Sequence, residues 1–443
     1  MQTLTDFVSE HINDDITALI LGRDKWPDID MDLAVNCIES RRKLKGKIPQ
    51  WHDMKELVFP LKLSAEQCSG SDAALYKACL AERIASERDW KIADLTGGLG
   101  ADSWFISQKA SEVLYCEMQK PLCDAAIHNF RVLGAGNISV MNRLIGSENT
   151  PESERADRFA TPGQILSDFR PDIVYMDPAR RSGSGKKVFL IEECTPDVLT
   201  LKDEIFRICP HILLKLSPMA DITMACGRLG KECREVHVVS VDGECKELLI
   251  WMDREWAGEY TITATELKNG GSLTFLPSEE KAARATIISA ETLRDAAEGK
   301  FLFEPGKALM KAGAFNTVCA VTGMEKLGIS THYYIGQPEC GNPAGRLGKI
   351  FRIIRCVRLD KKSIRQAGID FPGADITARN LPADTMTMRK KMDGVRKKDS
   401  GTPSDIHIFC LKSDKAGALL IVGKKVLNSG VQDEAGQAQP SQD

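Results

Sequence analysis

Between Ile92 and Met252, short and mostly apolar runs alternate with longer segments of helical period. The runs are Ile92–Leu95, Glu112–Cys116, Ile138–Met141, Ile173–Met176, His211–Leu216, Val236–Ser240 and Glu247–Met252. Strands that are covered on both faces read this way, without a polar alternate. The stretches between them are long enough for crossover helices. The alternation therefore predicts an α/β chain built on a parallel, doubly wound sheet. Val241-Asp242-Gly243-Glu244 joins the last two runs and reads as a hairpin, since Asp-Gly suits a tight turn.

Open sheets of this kind take ligands beyond the carboxyl ends of their strands. Asp94 closes the first run and opens Leu95-Thr96-Gly97-Gly98-Leu99-Gly100-Ala101-Asp102. Gly97, Gly98 and Gly100 let the backbone come close to a ligand and aim its N–H groups at it. The Asp94 carboxylate can accept from that turn or from a ligand ammonium. Glu117 lies 23 residues after Asp94, at the end of the second run, the spacing of an acid that grips a ribose diol. Asn142 follows the third run as a polar group for a base edge. Asp177-Pro178-Ala179-Arg180 closes the fourth.

At that fourth end Asp177 can accept a proton or hydrogen bond from a substrate amine. Pro178 stiffens the turn, and Arg180 with Arg181 can hold a phosphate or a base edge. Each feature alone has a plain structural explanation: a connecting turn, a solvated strand end, a loop salt bridge. A dinucleotide is the rival ligand, but the turn lacks the GxGxxG order and the Asp-Pro has no role there. Lys215, inside the apolar fifth run, reads equally as a site residue and as a snorkelling side chain. Ser64, Gln67 and Ser69 either reach the ligand or cap a helix.

Net charge is −3, yet residues 341–427 hold 19 Lys and Arg against 8 Asp and no Glu, which is +11 there and −14 elsewhere. A basic module on an acidic body suggests a polyanionic partner. The fourteen cysteines form no CxxC pair and sit largely in apolar segments. They read as buried thiols in a reducing cytoplasm rather than as metal ligands or disulfides. No apolar run approaches the roughly 20 residues a membrane span needs.

These residues resemble a bacterial family of class I S-adenosylmethionine-dependent methyltransferases with C-terminal ferredoxin-like and THUMP-like domains. The likeness runs from about Phe59 to Val426. It includes Leu63-Ser64-Ala65-Glu66-Gln67, Asp94 to Gly100, Asp177-Pro178-Ala179-Arg180-Arg181 and Leu214-Lys215-Leu216-Ser217-Pro218. Phe303-Glu304-Pro305 with Met310 to Phe315 resembles the ferredoxin-like unit. Ala378-Arg379-Asn380-Leu381-Pro382 with Arg389-Lys390-Lys391 resembles the THUMP-like one.

The resemblance implies a Rossmann-like methyltransferase sheet over 61–256; the region before it, 1–60, reads as helical from its apolar pattern alone. A hairpin plus ferredoxin-like domain follows over 257–340, then a basic THUMP-like domain over 341–427. The polar tail, 428–443, reads as disordered. It further implies S-adenosylmethionine held by Asp94, Thr96, Gly97, Gly98, Gly100, Glu117, Asn142 and Asp177, with Asp177, Pro178 and Arg180 at the reaction centre and no metal. The implied substrate is a base in tRNA or rRNA, contacted through Arg180, Arg181, Arg379, Arg389, Lys390, Lys391, Lys397 and Lys398. Two alternatives stand beside it: a catalytically silent RNA-binding protein, or a methyltransferase for a small molecule or protein.

Overall fold

The computed structural model describes residues 3–150, 152, 155, 157–180, 191–295, 297–338, 342–394 and 405–426. Arg181, Lys397, Lys398, the Arg180 side chain and the polar tail lie outside it. Contacts divide the chain into two compact units, 1–236 with 246–259, and 237–245 with 260–443.

The first unit opens with helices Leu4–Glu10, Ile16–Leu21, Met31–Leu44, Pro49–Asp53 and Lys62–Gln67. Phe7, Val8, Leu19, Ala34 and Ile38 form the core shared by the first three. Arg41 is buried there, and its guanidinium donates to the carbonyls of His52, Met54, Lys55 and Leu57 at 2.7–3.0 Å. That fan of bonds replaces the water a buried cation loses.

Helix α1 (Ser71–Ala85) leads into strand β1 (Lys91–Asp94), helix α2 (Ala101–Ser107), β2 (Glu112–Glu117), α3 (Lys120–Val132) and β3 (Ile138–Asn142). The alternation continues through α4 (Pro162–Phe169), β4 (Ile173–Met176), α5 (Val198–Ile208), β5 (His211–Leu216) and α6 (Ile222–Leu229), then the hairpin β6 (Cys233–Val241) and β7 (Glu244–Asp253). In space the strands run β6-β7-β5-β4-β1-β2-β3. The pairings β1–β2, β1–β4, β2–β3 and β4–β5 are parallel, and β5–β7 is antiparallel. Ile92, Ala93, Val113, Leu114, Ile173 and Val174 are fully covered, which is why these strands carry no polar alternate. Chain order reverses on either side of β1, so a crevice opens between the carboxyl ends of β1 and β4.

The second unit contains the hairpin β8 (Thr261–Glu266) and β9 (Gly271–Phe275), paired from Ile262–Phe275 to Glu266–Gly271. Its larger sheet is seven-stranded. In chain order the strands are β10 (Phe301–Pro305), β11 (Glu325–Lys326), β12 (Tyr334–Gly336), β13 (Gly348–Arg358), β14 (Asp375–Arg379), β15 (Ile406–Ser413) and β16 (Gly417–Lys425). The spatial order is β11-β12-β10-β13-β16-β15-β14. The stretches expected as separate ferredoxin-like and THUMP-like domains thus share one sheet, since β10 pairs with β13 from Phe301–Arg352 to Pro305–Gly348. Helices Lys361–Asp370 and Thr385–Asp393 cover one face through Ile364, Ala367, Met388 and Met392, packed on Ile408, Cys410, Leu420 and Val422.

Candidate functional site

The turn after β1 is shaped by close approach. A Cβ on Gly97 would stand 2.1 Å from the Tyr115 ring, and Gly98 and Gly100 have φ of +55° and +87°. Only glycine adopts these positions without strain. Asp94 anchors the turn: Oδ1 accepts from Thr96 N–H at 2.9 Å and Oδ2 from Ser103 Oγ at 2.5 Å. Burial pushes the Asp94 carboxyl up to about 7 against the pull of those two donors. Thr96 Oγ1 accepts from Asp177 N–H at 2.6 Å, which locks the ends of β1 and β4 together.

Glu117 sits across the turn at the end of β2. Its Oε2 accepts from Gly98 N–H at 2.9 Å and its Oε1 from Gln119 N–H at 2.7 Å. Burial raises this carboxyl too, with the backbone donors opposing. Each oxygen keeps lone-pair capacity for a diol.

Asn142 is placed differently from the expectation. Its Nδ2 donates to the carbonyls of Glu117 at 2.7 Å and Met118 at 3.1 Å, and Arg158 bonds its Oδ1. The side chain holds the end of β2 in place and is not among the residues facing the cavity. Its amide adds to the donors on these strand-end carbonyls; that of Glu117 also accepts from Arg143 N–H at 3.0 Å.

Asp94, Thr96, Gly97, Gly98, Gly100, Glu117, Asp177 and Pro178 all line one cavity of about 870 Å³. Met118, Gln119, Leu122 and residues 143–145 continue the wall on the Glu117 side. Ser64, Gln67, Ser69, Thr195, Lys215 and Ser217 belong to the same wall. The volume falls within the range of small-molecule and cofactor sites. Arg379, Arg389, Lys390 and Lys391 are exposed in the second unit.

Lys215 lines the same cavity. Its Nζ lies 2.6 Å from Asp177 Oδ2 and 3.2 Å from Ser69 Oγ. Sequence reasoning missed the groups behind it. Lys77 Nζ lies 2.6 and 2.7 Å from the Glu247 oxygens and 3.3 Å from Asp102 Oδ1. Asp102 Oδ2 accepts from Tyr175 OH at 2.7 Å and from Ser69 Oγ at 3.1 Å. Among the described lining residues Cys68 is the only cysteine, and burial pushes its thiol up to about 11. It is a neutral thiol at neutral pH, which disfavours a covalent cysteine adduct. Cys209 bonds the His211 carbonyl and is pushed up to about 12 by burial.

S-adenosylmethionine fits these residues. The Gly97–Gly98 backbone lines the cavity, with Gly97 packed so closely on the Tyr115 ring that no Cβ is tolerated there; Glu117 stands across the turn where it would take a diol, and Asp94 lines the same wall as the acid that would take an ammonium. When bound, the group supplies a methyl activated by a sulfonium.

A family model for a ferredoxin-like domain matches residues 301–339. No curated protein matches the chain in sequence. Among solved structures, a candidate methyltransferase from Porphyromonas gingivalis W83 is 27% identical with a TM-score of 0.77, covering 96% of this chain and 98% of that one. The T. thermophilus 16S rRNA N2 G1207 methyltransferase, solved with AdoMet and guanosine, is 15% identical with a TM-score of 0.31, over 45% of this chain and 46% of that one. The precorrin-6Y C5,15-methyltransferase of Geobacter metallireducens GS-15 is 16% identical with a TM-score of 0.27, over 40% and 86%. Likenesses as partial as these last two carry no argument about substrate. The whole-length likeness agrees with the crevice between β1 and β4 and with the glycine turn in it. The fold and the cofactor site are those of a class I S-adenosylmethionine-dependent methyltransferase, with a match to a ferredoxin-like domain in the C-terminal half.

Proposed function

We propose that the chain is a cytoplasmic RNA methyltransferase that modifies a base in tRNA or rRNA. The observation that carries this reading is the charge of residues 341–427, +11 in a chain of net −3. Arg379, Arg389, Lys390 and Lys391 stand exposed there, suited to phosphates rather than to internal ion pairs. The likeness of this stretch to THUMP-like domains points the same way. Asp94, Thr96, Gly97, Gly98, Gly100 and Glu117 hold the cofactor in this reading, and Asp177 with Pro178 receives the acceptor. Arg180, Arg181, Lys397 and Lys398 add phosphate or base contacts. Among the described residues no group of side chains is arranged to hold a metal, and no helix is long and apolar enough to cross a membrane.

One observation favours a second reading, a small-molecule or protein acceptor. Tyr175 is the only aromatic residue among the described lining residues, and its hydroxyl is bonded to Asp102. The described wall therefore offers no free ring on which a base would stack.

Mass spectrometry of nucleosides in RNA from cells with and without the gene separates the two. The proposal expects one methylated nucleoside to vanish with the gene and to return with the wild-type chain. Asp177→Ala should leave S-adenosylhomocysteine binding intact and lower transfer by about 100-fold or more. An identical nucleoside inventory in both strains, with label from the cofactor entering protein or small molecules, would favour the second reading.

A further inference from the structure

Lys215 stands on β5 between buried Leu214 and Leu216, a costly place for an ammonium. Its side chain is only 12% exposed. The surrounding charges are divided. Lys77 is spent on Glu247 and Asp102, at 2.6 and 3.3 Å. Lys215 is 3.9 Å from both of those acids and 2.6 Å from Asp177, so its short contact is with Asp177 alone. Ser69 Oγ lies between the two lysines, 3.0 Å from Lys77 Nζ and 3.2 Å from Lys215 Nζ, and donates to Asp102. The ammonium is thus held from behind and donates a hydrogen bond to one oxygen of Asp177.

We infer that Lys215 is a positioning residue, which pins Oδ2 of Asp177 so that Oδ1 faces the cavity and selects an acceptor nitrogen bearing N–H. The inference rests on the methyltransferase reading of this cavity and deepens it by naming the acceptor class. Burial alone would lower the Lys215 ammonium, but Asp177, Asp102 and Glu247 together hold it above its ordinary range, so it remains charged. Asp177 is fixed at both ends, its N–H on Thr96 Oγ1 and its Oδ2 on Lys215. No described group bonds Oδ1. The side chain is 39% exposed, enough to pass a proton to water. An aspartate oxygen paired with an ammonium offers lone pairs to a donor, so it orients an N–H and disfavours a phosphate or carboxylate acceptor. In the transfer, the acceptor nitrogen uses its lone pair to form the N–C bond while the S–CH₃ bond breaks and sulfur keeps that pair. The surplus proton on nitrogen passes to Asp177 Oδ1 and then to water.

The test uses the full chain, labelled cofactor, and RNA, protein and small-molecule fractions from cells lacking the gene. Lys215→Ala is expected to bind S-adenosylhomocysteine within about threefold of wild type. Its kcat should fall about 100-fold, the scale of a misplaced acceptor, with a smaller change in KM. Ethylammonium should restore at least part of kcat, while sodium chloride at equal ionic strength should not. An unchanged kcat overturns the inference, as does a loss that ethylammonium leaves untouched in a folded, cofactor-binding variant. If Lys215→Ala does not fold, Asp177→Asn reads the same contact from its exposed side. It should keep cofactor affinity and lose kcat, and full activity in it overturns the inference. Label found on carbon or on a phosphate oxygen also overturns it. Label in protein or small molecules instead of RNA defeats the RNA reading and leaves the Lys215 comparison to be made on that fraction. Label in no fraction defeats both.

Discussion

Lys77→Met is expected to lower the stability of the folded chain by about 3–5 kcal/mol. The Lys77 side chain is completely covered and Glu247 beside it is 3% exposed. Removing the ammonium leaves Glu247 and Asp102 buried, with Lys215 3.9 Å from each and already committed to Asp177. An unpaired buried carboxylate costs far more than a surface one, because neither water nor a counter-charge reaches it. The acid limb follows with a definite sign. Burial alone would raise Asp102, but Lys77 and Lys215 outweigh it and hold its carboxyl below the ordinary range. A depressed acid stabilises the fold above its unfolded pKa and loses that contribution as pH falls through the folded one. Lys77→Met should therefore flatten the loss of stability below pH 4. Urea midpoints at pH 7 and pH 3 measure both effects. The double variant Lys77→Met with Glu247→Met should recover much of the loss, since a well-packed apolar pair replaces a buried ion pair at little cost. A loss under about 1 kcal/mol in the single variant would show that water enters this cluster.

Asp94→Asn is expected to separate stability from function. Burial holds the Asp94 carboxyl at about 7, well above its unfolded value of 3.8. The folded chain therefore keeps a proton that the unfolded chain releases between those values. Stability from this group is complete below about pH 4, falls as pH rises toward 7, and is lost above it. The asparagine has no charge to desolvate, and its amide still offers an acceptor to Thr96 N–H. At pH 8 the variant should melt no lower than wild type. Its cofactor affinity should fall by 10- to 100-fold, as when a charge-assisted bond worth about 1.5–3 kcal/mol is lost. In wild type, affinity should weaken by up to about tenfold per unit as pH drops below 7. The variant should show no such slope. Thermal melts with calorimetric titrations at pH 6, 7 and 8 test this. A parallel slope in both proteins would place the titrating group elsewhere.

The strand ends were legible because their chemistry is local. Asp94, Gly97, Gly98, Gly100, Glu117 and Asp177 stand next to apolar runs, and the run order alone brings them to one edge of the sheet. The buried ion cluster was not legible in the same way. Lys77 and Glu247 are 170 residues apart, and nothing local links them. A signal existed nonetheless. Lys77 lies on the stripe of Ala74, Ala78 and Ala81, and Lys215 and Glu247 sit in apolar strands. Cations and an acid on buried faces imply one another. On helix α1 Leu75 is 49% exposed while Lys77, on the packed face, is covered. Helix Lys361–Asp370 escaped notice because Ile364, Ala367 and Gly368 are its only buried residues. Its start signal, the Asp360–Ser363 capping box, is short and polar. Asn142 was placed by analogy with a ligand edge, whereas backbone carbonyls claim its amide first.

Titration of the full-length chain with S-adenosylhomocysteine in a calorimeter tests the central claim most directly. One saturable site per chain is expected, weakened at least tenfold by Glu117→Ala and by Asp94→Asn and left in place by Asp177→Ala. Absence of heat at millimolar ligand, or binding that Glu117→Ala and Asp94→Asn leave unchanged, would contradict a cofactor held by the turn after β1.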